Sequence, residues 1–226
     1  MNAVALLAAL VLAAPAPPSE GRALYEEGCI SCHGLSREGV DGMGPSLQNV
    51  SQGTVDFYLT TGRMPLDKPG NQPLRREPIY TRREIAALVD YLGSDEPIPQ
   101  PDPASGDVSR GRGLYTEWCA GCHQVVARGG AMPEAIIPPL LEATPTQIAE
   151  AVRAGPWAMP RFEPAQLDEQ QLNDVIRYIV YARDPEDRGG WALGNIGPIP
   201  EGMVAWLLAG TALVAVARLI GKGLQR

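Results

Sequence analysis

Histidine is nearly absent from this 226-residue chain, which has two, His33 and His123. Positive charge is also short: 19 Lys and Arg stand against 26 Asp and Glu, a formal net charge of −7. That balance argues against nucleic acid as a partner, because phosphate binding needs a basic surface. Long uninterrupted apolar runs are confined to the two ends. With 25 Gly and 22 Pro, the sequence predicts a loop-rich fold rather than long regular elements. Its length allows one large domain or two of roughly 100 residues each.

The four cysteines fall in two pairs, and each pair is followed at once by one of the histidines. The two motifs are Cys29-Ile30-Ser31-Cys32-His33 and Cys119-Ala120-Gly121-Cys122-His123. In an exported protein four cysteines normally suggest two disulfides. Cys-x-x-Cys-His, however, is the attachment signature of c-type haem. Two thiols on one helical turn reach the two vinyl groups of the porphyrin, and the next residue presents an imidazole to the iron. A zinc site fails because the pairs lie 90 residues apart and each offers only two Cys and one His. A redox dithiol explains neither the adjacent histidine nor the duplication.

The duplication extends beyond the motifs. A shift of 90 residues superimposes Gly21-Arg22-Ala23-Leu24-Tyr25 on Gly111-Arg112-Gly113-Leu114-Tyr115, and Glu27 on Glu117. Each copy closes with an apolar-periodic segment, 84–92 and 171–179, which predicts a helix with one buried stripe. Between the copies Pro97, Pro99, Pro101 and Pro103 forbid helix and predict an extended, semi-rigid spacer. The expected organisation is a hydrophobic segment at 1–18, domains at 19–93 and 109–186, and a Pro-rich linker at 94–108. A Gly/Pro-rich connector (187–201), a transmembrane helix (202–220) and a short cytoplasmic tail (221–226) complete it.

The terminal segments differ in kind. Residues 3–14 form an apolar run of signal-peptide length, short for a spanning helix. No basic residue precedes it, and Pro17 after the Ala14-Pro15-Ala16 site suits a protease poorly. The run reads as a retained anchor, with a cleaved signal as the alternative. Residues 202–217 are uncharged, and Arg218 can snorkel to extend the span to Ile220. Arg218, Lys222 and Arg226 then mark the cytoplasmic side, leaving the haem domains outside.

With both histidines used, bis-histidine ligation is excluded, and the sixth iron ligand is sought among the six methionines. Met64 stands in Thr61-Gly62-Arg63-Met64-Pro65, and Met159 in Gly155-Pro156-Trp157-Ala158-Met159-Pro160. Both lie between haem motif and closing helix, and both precede proline, so they are the candidate axial ligands opposite His33 and His123. Met43 is the rival in the first copy, but Gly42-Met43-Gly44-Pro45 has no matched methionine in the second. Met132 reads as ordinary packing. Met/His ligation favours reduced iron and closes both axial positions to O₂ or peroxide.

These features resemble the class I cytochrome c family over residues 20–93 and 109–184. In that family a first helix with glycine and an aromatic at i, i+4 crosses a last helix with an apolar residue and an aromatic at i, i+3. Gly21/Tyr25 with Leu88/Tyr91, and Gly111/Tyr115 with Val175/Tyr178, match that pattern. The family's proline, whose neighbouring carbonyl accepts the imidazole N–H, is matched by Pro45 and more loosely by Pro138-Pro139-Leu140.

A narrower resemblance, over nearly the whole chain, is to the dihaem cytochrome c subunit family of actinobacterial cytochrome bc1-type (bcc) menaquinol–cytochrome c reductase complexes. It rests on the tandem haem domains, on Thr61-Gly62-Arg63-Met64-Pro65 and Met159-Pro160-Arg161-Phe162, and on the stretch from Gly189-Gly190-Trp191 to Trp206. The N-terminal segment departs from that family's longer, basic anchor. The resemblance implies a mainly α fold with two covalent c-type haems and no substrate-turnover site of its own. It also implies electron flow from a Rieske iron–sulfur protein to an aa3-type oxidase, with cytochrome b as a membrane neighbour in a supercomplex. A cytochrome subunit of a membrane dehydrogenase shares the haem chemistry. A dihaem peroxidase would need an open axial site, against which the two Met-Pro motifs argue. The loop 66–79, absent from the second copy, reads as a partner contact beside the first haem edge, and Arg75-Arg76-Glu77 as a docking patch or a solvated face.

Overall fold

The computed structural model describes residues 19–185 and 198–223. The N-terminal hydrophobic segment, most of the connector and the last three residues lie outside the described residues. In the first repeat the order is α1 (Glu20–Gly28), α2 (Ile30–His33), α3 (Gln52–Thr60) and α4 (Arg82–Leu92). In the second it is α5 (Val108–Trp118), α6 (Ala120–His123), a hairpin of β1 (Gly130–Met132) and β2 (Ala135–Ile137), α7 (Pro145–Ala154) and α8 (Glu169–Arg183). Side-chain caps fix the helix starts. Thr81 with Glu84, Thr144 with Gln147 and Asp168 with Gln171 each close a reciprocal capping box on α4, α7 and α8.

The first and last helices of each repeat cross at glycine. A Cβ on Gly21 would overlap the carbonyl oxygen of Ala87, and one on Gly111 would overlap that of Asp174. The aromatics named in the sequence fill the crossing: the Tyr25 and Tyr91 ring centroids are 5.8 Å apart, and those of Tyr115 and Tyr178 are 5.1 Å apart. Tyr25, Leu88, Tyr115, Val175 and Ile176 are almost wholly buried there. In the second repeat the crossing is also tied by charge. The buried Asp174 accepts two hydrogen bonds from Arg110, at 2.8 and 3.0 Å, and one from the Asp107 amide at 2.7 Å. The Arg110 bond holds its carboxyl below the usual carboxylate range.

Described residues up to Asp184 form one compact unit. The linker is not a free spacer. Its Ser94 amide donates to the Val50 carbonyl at 2.7 Å, and its Asp102 amide to Asn173 Oδ1 at 2.9 Å. Nor is it wholly extended, as the proline spacing predicts, because Pro103–Ser105 form a 3₁₀ turn. Proline is well suited to open a helical turn, where its missing N–H has no partner to lose. The repeats meet where α3 packs on α7, with Gly53 against both Pro99 and Glu150. Glu150 is 1% exposed and neither carboxylate oxygen has a hydrogen-bond partner. Burial, reinforced by the like charge of Asp56 on α3, pushes its pKa up to about 9. Glu150 is therefore a neutral acid at pH 7, buried beside Asp56.

The second unit carries α9 (Pro198–Gly223). Its span Ile199–Lys222 has 24 residues, a mean hydropathy of 2.0 and no buried share, enough to cross a bilayer core of about 30 Å at 1.5 Å per residue. The helix starts four residues before the expected 202. Pro198 and Pro200, at the end of the expected Gly/Pro-rich connector, both fall in the first turn, where amides have no intrahelical acceptor.

Two outcomes follow. Gly111→Ala should destabilise the protein by about 1–3 kcal/mol or more through overpacking. Gly113→Ala, on the same helix with nothing within 4 Å, should stabilise it by about 0.4–1 kcal/mol. Denaturant unfolding of the two variants should show opposite signs. Glu150 sets the second outcome, because its folded pKa lies above the unfolded value of about 4.3. Its contribution is complete at acid pH and is lost as the pH rises towards about 9. Glu150→Gln should flatten that decline, which reaches at most about 1.4 kcal/mol per pH unit.

Candidate haem-binding sites

Each haem motif sits at the end of the crossing helix. α1 stops at Gly28 and α5 at Trp118, and the next turn presents the two cysteines and the histidine. Burial, with the second thiol close by, pushes Cys29 up to about 11 and Cys119 up to about 12. A redox Cys-x-x-Cys needs a lowered thiol pKa, so the opposite shift speaks against that chemistry.

Both imidazoles are locked the same way. His33 Nδ1 lies 2.8 Å from the Pro45 carbonyl oxygen, and His123 Nδ1 lies 3.1 Å from that of Pro138. A carbonyl only accepts, so Nδ1 carries the proton and Nε2 keeps its lone pair, the tautomer a metal requires. Burial pulls His123 below its ordinary range despite that bond, which keeps it neutral. The accepting carbonyls belong to the prolines themselves.

The loop after each histidine repeats its backbone. Gly34 and Gln124 have φ of 78° and 62°, and Arg37 and Ala127 have 64° and 57°. The Tyr25 hydroxyl donates to the Gly34 carbonyl at 2.6 Å, and Tyr115 to that of Gln124 at 3.0 Å. From histidine to its proline the repeats differ, spanning 12 positions in the first and 15 in the second. The three extra residues are taken up in the β1–β2 hairpin, which turns at Pro133-Glu134. Sequence reading missed this hairpin, because strands of three residues carry too little alternation. It also missed Gly44, where a side chain would lie 2.7 Å from the Cys32 carbonyl oxygen and 3.1 Å from the His33 ring.

Cys119, Cys122, His123 and Met159 all line one cavity of the second repeat. In the first repeat, Met64 and Cys29 pack on the same core cluster, whereas Met43 is 41% exposed in the turn closed by Val40. The second-repeat cavity is completed from outside. Phe57, Arg63, Gln72, Pro73 and Arg75 of the first repeat line it. The loop 66–79, read from sequence as a partner surface at the first haem, thus reaches the second repeat. Gln72 pairs both polar atoms with Ile136, donating to its carbonyl at 2.7 Å and accepting from its amide at 2.8 Å. Arg75 donates to Gln147 Oε1 at 3.2 Å.

The comparisons agree with this duplicated architecture. The family described as "Cytochrome c" matches residues 18–95, and "Cytochrome C oxidase, cbb3-type, subunit III" matches 106–179. The "Cytochrome bc1 complex cytochrome c subunit" of Corynebacterium diphtheriae is 36% identical over 226 residues, 90% of this chain and 80% of its own length. The Mycobacterium tuberculosis protein of the same description is 35% identical over 213 residues, covering 89% and 76% of the two chains. The chain belongs to the family of cytochrome bc1 complex cytochrome c subunits. Two tandem cytochrome c domains follow, and with them covalently bound c-type haem. The residues present suit that group: paired thiols, an Nε2 free to ligate and a methionine line one crevice, where the buried Arg63 Nε lacks a partner. Together with α9, membership makes this a membrane-anchored protein.

Gln72 offers a direct check of the cross-repeat contact. Gln72→Ala removes both bonds to Ile136, so amide hydrogen exchange at Ile136 should speed up while exchange in the α5–α8 crossing stays unchanged.

Proposed function

We propose that this chain is the dihaem electron-transfer subunit of a quinol–cytochrome c reductase, with one c-type haem in each repeat. Cys29 and Cys32, and Cys119 and Cys122, form the thioether bonds. His33 with Met64, and His123 with Met159, hold the iron from its two sides. The observation that carries the reading is the repeated lock from a proline carbonyl onto Nδ1, which aims Nε2 of both imidazoles the same way within one duplicated frame. When bound, the haem supplies a one-electron couple, which Met/His ligation shifts towards the reduced state.

The residues of the chain orient and enclose it. Met64 is favoured over Met43 because it packs with Cys29 on the core, while Met43 faces solvent. The partners are those of a cytochrome bc1 complex, namely cytochrome b and a Rieske iron–sulfur protein as donor. An aa3-type oxidase is the acceptor, in a supercomplex. The chain has no substrate-turnover site of its own. The haem domains lie outside the membrane, since haem attachment requires export, and the basic residues after the span stay in the cytoplasm. Gly202, Ala205, Ala209, Gly210 and Ala212 suit α9 to close packing against other membrane subunits.

Mass measurement of the denatured protein should give two haems and no free thiol; a single haem would sink the reading. Met64→Ala and Met159→Ala should each remove the methionine–iron charge-transfer band of one haem, and Met43→Ala should leave both bands. Deleting residues 189–226 should leave the haems chemically reducible yet abolish their reduction by quinol in membranes.

A further inference from the structure

The cavity that holds Cys119, Cys122, His123 and Met159 has an unusual charge inventory. Among the described residues lining it there is no carboxylate, and the permanent cations are two, Arg63 and Arg75. Both come from the first repeat. The second repeat has no counterpart to Arg63 in its own methionine motif, where Ala158 precedes Met159.

Arg63 is 9% exposed and stacks over Phe57, its guanidinium carbon 5.0 Å from the ring centroid. One terminal nitrogen donates to the Pro73 carbonyl at 2.5 Å, but Nε has no partner. Neither Arg63 nor Arg75 forms an ion pair with the described residues. A buried guanidinium lining a cavity with no counter-ion carries a desolvation cost that an anion in the cavity would offset. Haem carries two propionate carboxylates, on the side of the macrocycle away from its vinyl groups. Once Cys119 and Cys122 fix the vinyl side, those carboxylates need cations that the second repeat does not supply to the cavity.

We propose that Arg63 and Arg75 of the first repeat neutralise the propionates of the haem carried by the second. This rests on the two-haem reading above. Arg63 acts inside the crevice, and Arg75 acts from its exposed rim, beside Gln147. Consecutive residues then address different haems, Arg63 the second and Met64 the first. The charge stabilises the reduced second haem, whose iron carries one positive charge fewer. The buried cation acts more strongly than the rim cation, which solvent and salt screen.

Redox titration of the detergent-solubilised holoprotein tests this. The two waves are first assigned with Met64→His and Met159→His, since each loses the potential-raising sulfur at one iron. Arg63→Gln and Arg75→Gln should both lower the second wave, Arg63→Gln by more, while Arg63→Lys should keep most of the wild-type potential. The Arg75→Gln shift should shrink as salt is raised. Arg75 lies well beyond Met64 in sequence, so its variant decides the matter even if Arg63→Gln disturbs Met64. A second wave unmoved by Arg75→Gln would overturn the proposal, as would a first wave moved as much or more. Mass measurement separates the two levels: one haem refutes the two-haem reading, whereas two haems with an unmoved second wave refute the propionate role alone.

Discussion

Backbone packed directly on backbone, at Gly21 against Ala87 and at Gly111 against Asp174, is the constraint from which the rest of each haem site is built. Nothing larger than hydrogen fits at either glycine, so the crossing has one register. That register places the helix end, and the helix end places the two thiols and the imidazole one turn later. The buried tyrosine a turn beyond the glycine then reaches across to the loop carbonyl after the motif. That loop returns a proline carbonyl to the imidazole. The positions of the two thiols and the imidazole are thus fixed by a contact that involves no functional group of its own.

The two copies share this frame and differ where they meet. The first has a long loop after its methionine, and the second has a hairpin before its proline. The loop and the hairpin touch through Gln72 and Ile136, and helices α3 and α7 pack beneath them. The interface buries a carboxylic acid at Glu150 and brings two arginines to the second crevice. Neither arrangement exists within one repeat, so the duplicated chain acquires properties that two separate copies would lack.

Much of the site was legible in the sequence because its chemistry is local. The haem motifs are five consecutive residues, the crossing positions recur at helical spacing, and the 90-residue shift ties them together. Met64 and Met159 were picked out by a following proline, a local feature again. What escaped was contact between distant segments. Arg63 was read only as part of the motif around Met64, and nothing in Thr61-Gly62-Arg63-Met64-Pro65 announces that its side chain turns towards the other repeat. Gln72 lay in a Pro/Gly-rich loop with no periodicity to orient it. Glu150 occupies an otherwise ordinary polar position in α7, and its burial comes from α3, about 95 residues earlier. The proline-rich linker and the start of α9 misled in the opposite way, because proline breaks a helix only beyond its first turn.

The Gln72 contact has a consequence for the second repeat taken alone. In the hairpin, Gly130 faces Ile137 and Met132 faces Ala135, closing the turn, so Ile136 occupies the intervening pair whose backbone groups point away from β1. Its N–H and C=O are the free edge of a small sheet, and an amide side chain from the first repeat acts there as a surrogate strand. The first repeat therefore satisfies the two Ile136 backbone groups that β1 leaves open.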